Sequence, residues 1–399
     1  MIRRAALARV LALSLVLSAA ASLAAQTYLA TEPGTWKPWK MTTSSDARRT
    51  SQATAAELKA FEAQLVAFRE ILHHAPSAAQ PRGYSVEAWG FLRGATGADA
   101  SAAKTRPIAG GVDFGAFPIF EYTRNGKTIR EDTGETALLL FAVNDLTPGT
   151  IGLPPPEEWR ELETDVVLQP RATGERAGWL VYDDLMVLTK RKAPLWTPLT
   201  LESAWQLQLQ AAQQKRSVAQ EAVDRFKAQL AKATDPVQRA ARKAEYVKNA
   251  PQMPDPQAYL KQMEQVEQIT EDTVRKELAP TSSMMKNLTE LERGVKTTED
   301  RIARLTTTEK TAPACYVDHG TAPEAQFRAA PAPGCAPIVR PNPDFFDRSL
   351  PRSAPQVVML LQARRCYEDD TKTTLVSGCP ANRALLESLD RQAVLDWLK

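Results

Sequence analysis

The sequence predicts an α+β protein: an N-terminal helix packed on an antiparallel sheet, then a long helical hairpin or bundle, then a disulfide-pinned C-terminal cap. Three observations carry this. Between residues 54 and 75 apolar side chains recur at helical spacing. From about Tyr84 to Lys190 the pattern changes to short aromatic and β-branched runs punctuated by turn residues. Beyond Pro198 the composition shifts to Gln, Lys, Glu and Ala, and all four cysteines follow in the last quarter of the chain.

The N-terminal segment 1–25 has the layout of a secretory signal peptide. Arg3, Arg4 and Arg9 make a positive start, Val10–Leu17 an apolar run, and Ala21–Ala25 a small-residue cleavage region. The apolar run is short for a membrane-spanning helix, and no later run is long enough either. Of 399 residues, 43% are hydrophobic, which is enough to bury two or three cores and excludes wholesale disorder. The chain carries 50 Lys+Arg against 47 Asp+Glu. Removing the three leader arginines balances the charge, so nothing points to a nucleic-acid partner.

Residues 26–53 are small and polar and are expected to be an extended lead-in. The α+β domain is expected over 54–198. Leu58, Phe61, Leu65, Phe68 and Leu72 make one helical stripe, and Pro76 ends that helix near His74. Strands are expected at Val112–Tyr122, after the Asn125-Gly126 turn, at Ala137–Val143, and at Thr164–Leu168. Gly178–Tyr182 and Leu185–Lys190 read as a hairpin turning at Asp183-Asp184.

Pro194, Trp196 and Pro198 mark a boundary, and 199–310 reads as a coiled-coil-like helical segment. Met284, Leu288, Leu291, Val295, Thr298, Ile302 and Leu305 step by 4 and 3, a heptad seam. Ala219, Val223, Phe226 and Leu230 repeat the spacing. Leu260, Met263, Val266, Ile269 and Val274 form a looser apolar face. Breaks at Asp235-Pro236, Pro251–Pro256 and Ala279-Pro280 divide the segment into about four antiparallel helices.

Residues 311–399 are Pro-rich and loop-like, with a strand at Gln356–Gln362 and a terminal helix over Ala384–Leu398. Cys315, Cys335, Cys366 and Cys379 are an even set that lacks the close spacing of zinc ligands, so two disulfides are expected. Nearest-neighbour pairing, Cys315–Cys335 and Cys366–Cys379, gives short loops.

Nucleophile elbows, metalloprotease helices, phosphate loops and calcium loops are all missing from the sequence. His73 and His74 are adjacent on a helix and diverge by about 100°; His319 follows Cys315 in a turn. The adjacent carboxylates Glu131-Asp132, Glu157-Glu158, Asp183-Asp184 and Asp369-Asp370 read as turns or solvated faces. The sequon Asn287-Leu288-Thr289 falls inside the best heptad. No residue is assigned a catalytic, cofactor or metal role. The expected function is that of an exported protein, periplasmic or secreted, acting through protein contacts or self-association of its helical arm. A small-ligand pocket near Trp89, Phe117 or Phe120 is one alternative. A hydrolase drawing on Asp183, Asp184 or His319 is the other.

Two Pro-bounded segments, Pro194–Thr200 (Pro-Leu-Trp-Thr-Pro-Leu-Thr) and Asn342–Pro351 (Asn-Pro-Asp-Phe-Phe-Asp-Arg-Ser-Leu-Pro), resemble exported bacterial proteins of unassigned function. The resemblance covers under a tenth of the chain and implies kinship without an activity. Both segments read as junctions that join the terminal region back onto the α+β domain.

Overall fold

The computed structural model describes residues 27–94, 104–124, 126–132, 138–146, 155–156, 159, 162, 165–176, 178–182, 185–317, 326–342, 344–362 and 379–399. The signal-peptide segment 1–25 lies outside them. The chain divides into two compact units. The first is Met1–Pro155 with Glu163–Thr197 and Arg340–Lys399, and the second is Pro156–Leu162 with Pro198–Val339.

In chain order the elements begin with β1 (Thr27–Tyr28), β2 (Lys40–Thr42), α1 (Ser45–Ser51), α2 (Ala55–His73) and α3 (Pro76–Ala79). Next come β3 (Tyr84–Leu92), β4 (Gly110–Arg124), β5 (Lys127–Asp132), β6 (Leu138–Val143) and β7 (Val167–Leu168). β8 (Ala172–Arg176), β9 (Trp179–Tyr182), β10 (Leu185–Thr189) and β11 (Trp196–Pro198) follow. The helical segment holds α4 (Leu201–Thr234), α5 (Pro236–Asn249), α6 (Pro256–Glu277), α7 (Ser283–Arg304) and α8 (Thr307–Thr311). The chain ends with β12 (Ala314–Val317), β13 (Phe327–Ala329), β14 (Cys335–Pro341), β15 (Val357–Gln362), α9 (Cys379–Ser388) and α10 (Arg391–Trp397).

In the first unit α2 starts at a capping box. Thr54 Oγ1 accepts from Glu57 N while the Glu57 carboxylate accepts from Thr54 N at 2.7 Å. Phe61, Leu65, Phe68 and Leu72 are wholly buried, and Leu58 is half-buried. Their stripe lies on a sheet ordered β2-β3-β4-β6-β15-β10-β9-β8, with β1 and β5 also paired to β4. All these pairs are antiparallel except β2–β3. Phe68 sits between Phe141 and Trp397, with ring centroids 5.2 and 4.9 Å away. Gly110 permits this approach of helix to sheet, because a Cβ there would lie 2.4 Å from the Phe91 carbonyl and 2.8 Å from the Phe61 ring. The β4–β5 hairpin closes with Arg124 opposite Lys127 and Gly126 at φ 73°. Its Asn125 lies outside the described residues, as do Asp183 and Asp184 of the β9–β10 hairpin.

The chain departs from the expected path in three places. The lead-in 26–53 contains β1, β2 and α1, because Thr27–Tyr28 pairs with β4, Lys40–Thr42 runs parallel to β3, and Ser44 caps a helix that buries Ala47. The C-terminal region 311–399 divides between the units at Val339/Arg340. Its Val357–Gln362 run is a central strand between β6 and β10, in which Val357–Leu360 are wholly buried on both faces. The terminal helix is two helices, since Asp390 breaks the run and its carboxylate caps α10 through Ala393 N. Leu385, Leu386, Leu389, Val394 and Leu398 of this region join the core under α2.

The two Pro-bounded segments touch through residues of the first unit. Asn342 N donates to Leu195 O, and Asn342 Nδ2 donates to Pro194 O, both at 2.8 Å. The junction expected from sequence is thus a pair of hydrogen bonds from one buried asparagine.

In the second unit, breaks at Asp235-Pro236, Pro251–Pro256 and Ala279-Pro280 separate three long helices and the shorter α5. Leu201 N donates to Ala312 O at 2.8 Å, so α7 and α8 return along α4 to its start. Every residue of the heptad seam from Met284 to Leu305 is buried or half-buried, and Leu288, Val295, Thr298 and Leu305 are the most enclosed. Thr298 is tolerated there because its hydroxyl donates to Gly294 O. Beside the helices, β12 pairs antiparallel with β13 and β14, and the Cys315–Cys335 disulfide joins β12 to β14. Phe327 stacks on Trp159 at 5.0 Å and meets the Trp205 edge at 5.2 Å, anchoring the root of α4.

Candidate functional site

The helical arm differs from a closed bundle at α5. This helix buries no side chain. Its inner face carries Arg239, Arg242, Lys243 and Tyr246, at helical spacing on one side. They meet a matching row on α6: Arg239 pairs with Glu271, Arg242 with Glu267 at 2.8 Å, and Lys243 with Glu264 at 3.2 Å. The Tyr246 hydroxyl donates to Glu267 at 3.2 Å. Hydrogen bonds from Arg275, together with Arg239, hold the Glu271 carboxyl below its usual range. The Tyr246 phenol is raised, first by desolvation and then by the Glu267 charge.

The looser apolar face expected on α6 is divided. Leu260, Met263 and Val274 turn inward with Glu267 and Glu271, following the 3–4 spacing of one stripe. Val266 and Ile269 fall off that stripe and are 48% and 65% exposed. Among the described residues, eight large apolar side chains are exposed. Six belong to the arm: Val218, Val237, Val247, Met253, Val266 and Ile269. A groove of about 510 Å³ also runs beside Val218, where the small Ala211, Ala219 and Ala222 of α4 face Leu291 of α7. Leu162 completes its apolar wall.

The first unit holds a cavity of about 80 Å³. Arg93, Arg106, Arg352, Asn144, Asp145 and Asn342 supply its polar wall; Trp89, Phe117 and Phe120 are not part of it. Its charges are used in holding the fold. Arg352 donates to the carbonyls of Arg106, Gln52 and Ser51, and lies 3.4 Å from Glu57. Arg93 faces the buried Asp145 carboxylate at 3.9 Å. Asn144, at φ 54°, accepts from Gln356 N and donates to Ala354 O and Ile108 O. These contacts describe a junction of five chain segments, around Ser51–Glu57, Arg93, Arg106–Ile108, Asn144–Asp145 and Arg352–Gln356.

Of the residues singled out in the sequence, Cys315 and Cys335 are bonded with their Cα atoms 5.5 Å apart. Cys379 is also disulfide-bonded, and Cys366, its expected partner, lies outside the described residues. So do His319, Asp183, Asp184, Glu157, Glu158, Asp369 and Asp370. His73 packs its ring 4.7 Å from Trp36 and sets Nδ1 3.5 Å from the Glu70 carboxylate, whereas His74 Nδ1 contacts Glu70 O, so both rings are used locally at the end of α2. Glu131 accepts from Tyr122, and Asp132 pairs with Lys37 at 3.2 Å. The sequon residues Asn287 and Thr289 flank the buried Leu288 and are exposed. Among the described residues, no three His, Cys, Asp or Glu side chains gather as metal ligands. No described helix is long and apolar enough to cross a membrane.

Sequence reasoning passed over Asp113. It lies in β4 between the buried Val112 and Phe114, accepts from the Trp89 side chain, and is pushed up to about 6 by burial. A lone Asp in an apolar strand was the available signal. The polar inner face of α5 was legible too, as basic residues at 239, 242 and 243 matched by acids at 264, 267 and 271. No family model, curated protein or solved structure matches the chain.

Proposed function

We propose that this is an exported, non-enzymatic protein that acts through protein–protein contacts of its helical arm. The observation that carries the reading is the concentration of exposed apolar side chains on that arm, with Val266 and Ile269 adjacent on one face of α6. Exposed apolar area of this kind is stabilised when a partner covers it. The leader-like segment 1–25 and the Cys315–Cys335 disulfide support an oxidising destination outside the cytoplasm. Both alternatives have less behind them. The cavity of the first unit spends its charges on backbone carbonyls and internal ion pairs, and the hydrolase candidates Asp183, Asp184 and His319 lie outside the described residues.

The test is a crosslinking capture from native envelope extract, comparing the wild-type chain with the double variant Val266→Asp/Ile269→Asp. Circular dichroism establishes that the variant is folded. A partner held by the wild type and lost by the variant supports the arm as the working surface. Equal capture by both sinks it.

A further inference from the structure

We propose that α5 is an ionic strap, closed against α6 by charge at low ionic strength and lifted off when its ion pairs are screened. The inference rests on the reading of the arm as the working surface and supplies its regulation. Three features of the chain point to it.

The first is what holds the helix. A helix in a bundle is ordinarily kept by an apolar stripe, and α5 has none: its valines, Val237 and Val247, are 76% and 61% exposed on the outside. Inward it presents Arg239, Arg242, Lys243 and Tyr246 to Glu271, Glu267 and Glu264. Arg242 also donates to the carbonyls of Lys232 and Ala233 at the end of α4, at 3.2 and 3.0 Å. Partly exposed ion pairs weaken as salt rises, whereas apolar packing does not.

The second is how the helix is hinged. Asp235 is at once the last cap of α4 and the first cap of α5, and Pro236 follows it. At the other end a 3-10 turn and Pro251, Pro254 and Pro256 separate α5 from α6. Neither neighbour therefore continues its hydrogen-bond ladder into α5. The third is length. α5 has 14 residues, and a helix this short is marginal in water once undocked, so release and melting coincide.

Lifting the strap frees the carboxylates of Glu267 and Glu271, 18% and 19% exposed in the closed form, on the α6 stripe that also carries Leu260 and Met263. The arm thus has a closed form, with these acids internally neutralised, and an open form, with acidic and apolar groups presented together.

Hydrogen exchange on the full-length chain tests this at about 0.05 M and about 1 M NaCl, which shortens the screening length from over 10 Å to about 3 Å. The amides of 236–249 are expected to exchange at least about tenfold faster at high salt, while those of α4 and α7 hold their rates. A second chain, Arg239→Cys/Glu271→Cys, oxidised to link α5 to α6, is expected to lose the salt response and regain it on reduction. Protection of α5 that tracks α4 across the salt range overturns the proposal. So does a linked chain that responds like the wild type. Either failure leaves the capture result with Val266→Asp/Ile269→Asp untouched, so the strap and the working surface stand or fall separately.

Discussion

Arg242 and Glu267 are bonded at 2.8 Å, and the same guanidinium closes the carbonyl end of α4, so one ion pair ties together three helices. Glu267 in turn accepts from Tyr246. Two donors thus satisfy this half-buried carboxylate, which makes it the link between α5, α6 and the end of α4.

Replacing Glu267 with Gln keeps the shape and removes the charge. The expected cost is about 1–2 kcal/mol in urea denaturation at low salt, shrinking as salt is added. An unchanged midpoint would mean that Tyr246 and the remaining pairs suffice.

The Cys315–Cys335 bridge closes a separation of 20 residues, and Cys315 is 1% exposed. The double substitution Cys315→Ala/Cys335→Ala is expected to cost about 3 kcal/mol by freeing the unfolded chain. Burial also predicts slow reduction under native conditions and fast reduction in urea, read by thiol labelling over time.

Asp113 gives the first unit a pH signature. Its folded pKa, about 6, lies above the unfolded value of about 3.9. Between those values the native state keeps a proton that the unfolded chain has released. Stability therefore falls as pH rises through the window and levels off above it, by on the order of 3 kcal/mol in total. Asp113→Asn should flatten that slope and raise the midpoint at neutral pH. A variant with the wild-type slope would place the titration on another group.

Asn144 holds a left-handed backbone while bonding three chain segments. Asn144→Ala loses all three side-chain bonds and leaves at positive φ a residue without the polar side chain that makes Asn tolerant of that region. A loss of roughly 2–4 kcal/mol is expected, with faster exchange of the Gln356 amide as the local readout. Wild-type exchange at Gln356 would show that the junction is held elsewhere.

Local periodicity made much of the fold legible. The stripe from Leu58 to Leu72 and the seam from Met284 to Leu305 repeat every 3–4 residues, so each reports its own buried face. The Asn342 junction was readable as Pro-bounded chain, although not as hydrogen bonds to Pro194 and Leu195. The position of Val357–Gln362 was hidden, because a strand's sequence records burial on both faces and not which strands flank it. Thr27–Tyr28 and Lys40–Thr42 were hidden for a related reason, since two or three residues cannot display a period. The inner face of α5 escaped because a search for apolar stripes passes over a stripe made of charge.

The place of Val357–Gln362 sets an order on biosynthesis. Strands β6 and β10 are made early, yet each keeps a bare edge until residue 357 and its neighbours leave the ribosome. The sheet cannot be completed while the chain is growing, and its two halves wait as separate apolar surfaces prone to pairing with other molecules. A nascent chain of this design is held open until Val357–Gln362 is synthesised, so termination or truncation before it would leave a sheet with its middle missing.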